Sequence, residues 1–121
     1  MRDFLKKKYR VKSEKEFQLV FRKGESIANR QLVLYVYPKP EQEHFRVGLS
    51  VGKKIGNAVK RNQVKRYLRQ ALHELQDVID PEIDFLLIAR PDIKEKTFAQ
   101  VKQSVIHVMN LAKIIDKSAL K

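Results

Sequence analysis

The chain has 121 residues, 43% of them hydrophobic and 33% charged, with 26 Lys and Arg against 14 Asp and Glu for a formal net charge of +12. That length suits one domain, residues 1–121, and the apolar share is too high for a disordered tail. There is no Cys, which excludes disulfides and thiolate metal sites, and no apolar run approaches the roughly 18 residues of a membrane-spanning helix.

Taken in chain order, Lys6, Lys7 and Lys8 are followed by no apolar segment, which is not the pattern of a secretory signal, and a cytoplasmic location is expected. Ser13-Glu14-Lys15-Glu16 has the pattern of a capping box. The Ser13 hydroxyl can accept from the Glu16 backbone, and the Glu16 carboxylate can reach back. A helix is predicted over 14–23, with Phe17, Val20 and Phe21 as its apolar stripe and Gly24 as a left-handed stop. Residues 31–37 are β-branched, aromatic or leucine for the most part and predict a strand ended by Pro38 and Pro40, with a short strand at 26–29 before it. A polar turn at 41–44 leads to a strand at 45–51, expected to pair antiparallel with 31–37. A long helix follows over 57–76, with Val64, Leu68, Ala71, Leu72 and Leu75 on one face. Asp80-Pro81 breaks the pattern. Residues 83–89 are almost continuously apolar, as in a central strand, and Arg90 and Pro91 close it. The last helix covers 97–113, capped by Thr97, with Phe98, Val101, Val105, Val108 and Met109 inward. The basic tail 113–121 is expected to fray.

This order predicts an α+β fold. It is a two-layer α/β sandwich with one small mixed sheet, an N-terminal helix, a β-α-β crossover and a C-terminal helix. General physics would make that crossover right-handed.

A charge excess of this size repels itself, and a polyanionic partner relieves the repulsion; nucleic acid is the first candidate and an anionic membrane surface the second. The charge is concentrated at residues 53–69, which hold Lys53, Lys54, Lys60, Arg61, Lys65, Arg66 and Arg69, with no acidic residue before Glu74. A run of cations is ordinarily a solvated face, but solvated faces carry acidic partners one turn away and this one has none. Val64, Leu68, Leu72 and Leu75 dock the helix, while Arg61, Asn62, Lys65, Arg66 and Arg69 form the polar arc beside them. Guanidinium forks suit phosphate, and an amide both donates and accepts. Gly56-Asn57 sits at the handover into the helix, with Asn57 as N-cap.

A second feature is aromatic. Phe17 and Phe21 lie one turn apart, and Val33, Tyr35 and Tyr37 share one face of their strand. Such a stripe is either core or a platform for single-stranded RNA, and the sequence leaves both open for the two Phe residues. Catalytic candidates are weak. His44, His73 and His107 are scattered without ligand spacing, and Asp77, Asp80, Glu82 and Asp84 read as a solvated helix end and loop rather than a metal site. No Gly-rich nucleotide loop is present.

Lys53-Lys54-Ile55-Gly56-Asn57-Ala58-Val59-Lys60-Arg61-Asn62-Gln63-Val64-Lys65-Arg66 resembles the signature segment of the bacterial ribonuclease P protein family. Ala28-Asn29-Arg30-Gln31 and Arg46-Val47-Gly48-Leu49-Ser50-Val51 resemble it too. The similarity covers nearly the whole chain and is weakest after Arg90. One departure is Gln63, at a position that is often basic in the family, so the role of that position is in doubt. The resemblance implies a left-handed crossover, against the general rule. It implies binding of a catalytic RNA subunit through Lys53, Lys54, Asn57, Arg61, Asn62, Lys65, Arg66 and Arg69. It also implies binding of the 5′ leader of precursor tRNA in a cleft lined by Phe17, Phe21, Val33 and Tyr35, with Ser50 adding a hydroxyl. Catalysis and Mg²⁺ would then belong to the RNA subunit, with no catalytic residue, metal or cofactor site in this chain and no DNA or membrane partner. The rival readings are a non-enzymatic RNA-binding protein such as a ribosomal protein, a DNA-binding regulator, and an amphipathic membrane-surface protein.

Overall fold

The computed structural model describes residues 5–116 and 118. Its helices and strands follow as α1 (Glu14–Lys23), β1 (Glu25–Ala28), β2 (Leu32–Pro38), β3 (Arg46–Ser50), α2 (Ala58–Leu75), β4 (Ile83–Ala89) and α3 (Phe98–Leu111). Single 3-10 turns occur at Lys7–Tyr9, Lys53–Ile55 and Pro91–Glu95.

The helix starts are set by local chemistry. Ser13 Oγ accepts from the Glu16 backbone at 3.1 Å, Asn57 Oδ1 from Lys60 at 3.0 Å, and Thr97 Oγ1 from Gln100 at 3.2 Å. Gln100 completes its box by accepting from the Thr97 backbone at 2.9 Å. In α1 the Glu16 carboxylate instead takes the Ser13 hydroxyl at 3.4 Å and an ion pair from the sheet. Gly24 does not adopt the expected left-handed conformation, since its φ is −75° and its ψ 157°. Its small size matters for another reason. A Cβ there would stand 2.6 Å from the Val20 carbonyl oxygen and 2.8 Å from that of Val36, so only glycine lets the chain turn this tightly onto the sheet.

The strand order is β1-β2-β4-β3. The expected pairing of 45–51 with 31–37 is therefore corrected. β4 lies between them, antiparallel to β2 and parallel to β3. The physical reason is burial. Ile83, Asp84, Phe85, Leu86 and Leu87 of β4 are all buried, and a strand apolar on both faces belongs at the centre of a sheet.

On one face α2 and α3 close a single hydrophobic cluster. Val64, Leu68, Leu72, Val101, Val105 and Val108 meet Leu34, Val47, Phe85 and Leu87 there. Each such side chain stabilises the fold by about 1.5–3 kcal/mol through burial. Leu86 and Val20 are fully buried but outside that cluster, on the opposite face, where α1 packs.

The start of the C-terminal tail does not fray. Ile115 bridges Ile79, and the Asp80 and Asp116 backbones donate to Ile114 and Val78, both at 2.8 Å. The rest of the expected fraying, at 117 and 119–121, lies outside the described residues, as do 1–4.

Candidate nucleic-acid interface

Strand alternation sorts the α1 face of the sheet into rows. In the first, Val33, Ile88 and Ser50 stand side by side on β2, β4 and β3, each half-buried. The second holds Tyr35, Leu86 and Gly48, and the third Tyr37, Asp84 and Arg46. α1 covers the second and third rows. Phe17 packs onto Gly48, where no side chain intervenes, and the Phe21 ring lies 4.9 Å from that of Tyr35, tilted by 43°. Phe17, Phe21, Val33, Tyr35 and Ser50 thus belong to one face. Of the α1 stripe only Val20 is buried, and Phe21 is 42% exposed. The two Phe rings therefore border solvent as well as the sheet.

The basic helix reaches this face around the outer edge of β3. Lys65 and Arg69 of α2 line a cleft of about 190 Å³ together with Phe17, Gly48 and Leu49. Arg10 lines it from the other side, where residues 10–11 run along β3; Arg10 bridges Val47 in parallel, and the Val11 backbone donates to Val47 at 2.9 Å. Aromatic surface and cationic side chains therefore meet at one point. Arg10 and Ile88 carry no functional signal in the sequence beyond the general basicity of the N-terminus and the apolar run of β4.

The other basic positions extend away from this point. Lys53 and Lys54 are exposed on their 3-10 turn, while Ile55 between them and α2 is buried as an anchor. Gly56 follows at φ 145°, a conformation side-chain-bearing residues rarely adopt. Asn57 is exposed, but its carbonyl oxygen is committed to the helix cap. Asn62 is exposed, and Arg61 and Arg66 are half-buried. The Arg61 Nε is buried with no hydrogen-bond partner. Gln63 accepts from Lys60 Nζ at 3.2 Å, so it orients a cation rather than supplying one.

The acidic stretch needs a correction. Asp84 is not solvated; it is 0% exposed and sits in a forked pair with Arg46. Asp80 accepts from the Glu82 backbone, and Glu82 from that of Glu41. Among the described residues no three His, Cys, Asp or Glu side chains gather closely enough to hold a metal ion. His44 stacks edge-on to Tyr9, and His107 Nδ1 faces the Asn29 amide at 3.2 Å. No helix among the described residues is long and apolar enough to cross a membrane.

Comparison with known proteins adds a lineage to this geometry. A family model described as Ribonuclease P matches residues 5–113. The protein of Enterococcus faecalis named "Ribonuclease P protein component" is 61% identical over 112 residues, which is 93% of this chain and 95% of that one. The protein of the same name in Ligilactobacillus salivarius is 56% identical over 111 residues, 92% of this chain and 98% of that one. The solved RNase P protein of Staphylococcus aureus is 42% identical, with a TM-score of 0.83 across 89% of this chain and 98% of that one.

Proposed function

The chain belongs to the ribonuclease P protein family, and we propose that it acts as the protein subunit that binds the catalytic RNA and the 5′ leader of precursor tRNA, assisting endonucleolytic removal of the leader. The observation that carries this reading is the meeting of Phe17 with Lys65 and Arg69 at the edge of β3. A single strand of RNA offers two chemistries, base faces and a phosphate chain. Base faces stack on rings, and phosphates pair with cations. The α1 face supplies the first through Phe17, Phe21 and Tyr35, with Val33, Ile88 and Ser50 beside them. Lys65 and Arg69 supply the second. Double-stranded nucleic acid would have little use for rings beneath a helix, which weighs against a DNA-binding regulator.

The basic surface that runs on from there serves the catalytic RNA: Lys53, Lys54, Asn57 through its amide nitrogen, Arg61, Asn62 and Arg66, with Lys65 and Arg69 at the junction of the two RNA paths. In this reading the hydrolysis and its Mg²⁺ ions belong to the RNA subunit, and the complex works in the cytoplasm. The test is reconstitution with catalytic RNA from the same cell. Precursor tRNA cleavage is measured at low Mg²⁺ with and without the protein. The protein should raise the rate for leader-bearing substrate. Rigorously RNA-free protein should cleave nothing, and cleavage by the protein alone, abolished by one His or Asp substitution, would overturn the reading.

A further inference from the structure

Arg46 joins three elements through one side chain. From β3 its Nε donates to Asp84 Oδ1 at 3.0 Å and its Nη2 to Oδ2 at 2.6 Å. The same Nη2 lies 2.9 Å from Glu16 Oε2 on α1. Asp84 is fully buried at the centre of the sheet, with Lys39 Nζ as a second cation at 3.7 Å. A buried carboxylate left without its partner is strongly destabilising, so Arg46 is bound to stay. A two-point pair also fixes the plane of the guanidinium. Glu16 therefore meets a cation whose position is already determined by the sheet. Burial works against the Glu16 charge, and the hydrogen bond and charge of Arg46 overcome it, holding the carboxyl below its ordinary value.

The consequence lies one residue away. Phe17 follows Glu16 directly and packs on Gly48, two residues beyond Arg46 on the same strand face. Phe21 lies one further turn along α1, against Tyr35. The first turn of α1 is thus held to the sheet by the ionic link at Glu16 and by the ring contact at Phe17. The rest of the helix, which carries Phe21, follows from that placement.

We infer that Arg46 is a positioning residue that, through Glu16, sets where α1 sits on the sheet and so sets the opening that receives a single-stranded RNA leader. The inference rests on the cleft reading given above. It assigns Glu16 a role that touches no RNA.

The test compares Glu16→Ala, Glu16→Gln and Tyr35→Ala in holoenzyme reconstituted with the catalytic RNA, using precursor tRNA and the same tRNA without a leader. Glu16→Ala cuts the α1 arm and leaves the buried Arg46–Asp84 pair intact, so the fold survives. It should weaken precursor binding roughly three- to tenfold, the range of one lost hydrogen bond. The change should fall on KM rather than kcat, with leaderless tRNA and assembly with the catalytic RNA at wild-type values. Glu16→Gln keeps an oxygen that accepts from Arg46 and should recover part of the loss. If Tyr35→Ala loses precursor preference while Glu16→Ala behaves as wild type, the positioning role is overturned and the cleft reading stands. Equal weakening of both tRNAs by Glu16→Ala would make the contact a structural ion pair only, and wild-type behaviour of all three variants would sink the positioning role and the cleft together.

Discussion

The Phe17 ring rests on Gly48 so closely that a Cβ added to Gly48 would come within 3.0 Å of Phe17 Cδ2 and 2.8 Å of Leu86 Cδ2. Gly48 is extended strand, so the demand is for space and not for an unusual backbone. The contact lets α1 lie low over the middle row of the sheet, where its rings border both the protein and the solvent.

Gly48→Ala should therefore push Phe17 or the buried Leu86 aside. Overpacking of this kind costs about 1–3 kcal/mol. Thermal unfolding of the protein should show the loss, and precursor tRNA affinity of the holoenzyme should fall with mature tRNA affinity unchanged. A variant as stable and as selective as wild type would mean that the Phe17 contact does not govern the height of α1.

The basic helix makes a separate prediction. Arg61, Lys65 and Arg69 recur every fourth residue on α2, all half-buried and all outside its buried stripe. Replacing the three with Ala should leave the circular dichroism spectrum in place and weaken binding of the catalytic RNA. Each phosphate contact removed should flatten the log–log salt dependence by somewhat less than about one unit. Wild-type affinity in the triple variant would place the RNA on another face.

Two carboxylates give the protein an acid limb. Glu74 of α2 accepts from Lys102 Nζ of α3 at 2.8 Å, and that hydrogen bond, with help from Gln70 and the Lys102 charge, holds its carboxyl below its ordinary value despite the opposing effect of burial. Glu16 shifts in the same direction. A folded-state value below the unfolded one adds stability above the unfolded value, and that stability is lost as pH falls through the folded one. Lys102→Ala should therefore lower Tm slightly at neutral pH, the loss of stability being well under about 1 kcal/mol for so exposed a pair. The two melting curves should converge as pH falls below the ordinary carboxylate range and through the lowered Glu74 value. A gap that stays constant even where carboxylates are fully protonated would show that Lys102 acts through packing and not through the Glu74 charge.

Much of this architecture is legible in the residues, because local rules dominate where they apply. Ser13, Asn57 and Thr97 announce their helices, and the stripe Val64, Leu68, Ala71, Leu72, Leu75 is buried in full. Strand neighbours are decided elsewhere. Residues 31–37 and 45–51 are close in sequence, and a hairpin is the economical guess, but the chain distant strand β4 has two apolar faces to hide and takes the place between them. Asp84 escapes a local reading for a related reason. An acidic residue among Asp77, Asp80 and Glu82 looks solvated until the register sets Arg46 directly across from it. Gly24 shows the limit of a residue-type rule, since its role is the close approach to Val36, a contact invisible from its neighbours. The candidate site divides the same way. Its residues can be named one by one, but only the fold shows that Lys65 and Arg69 turn the edge of β3 to reach Phe17.

The aromatic face and the basic helix can be separated by a single ring. Tyr35 lies in the middle row, half-buried, with Phe21 against it and the row of Val33, Ile88 and Ser50 beside it. A leader base can stack there, whereas mature tRNA has no leader to place. Tyr35→Ala should lower precursor affinity of the holoenzyme by about tenfold or more, since one base–aromatic stack is worth about 1–3 kcal/mol. Mature tRNA affinity and assembly with the catalytic RNA should stay near wild type. Phe21→Ala is a useful companion because Phe21 is 42% exposed, so its truncation should cost less than the about 3–5 kcal/mol of a fully buried Phe. Phe17 is the less clean probe, since its ring also fills the space over Gly48. Tm of each variant separates lost folding from lost recognition. Equal weakening toward both tRNAs, or an unchanged precursor preference in a folded Tyr35→Ala protein, would mean that this face does not read the leader.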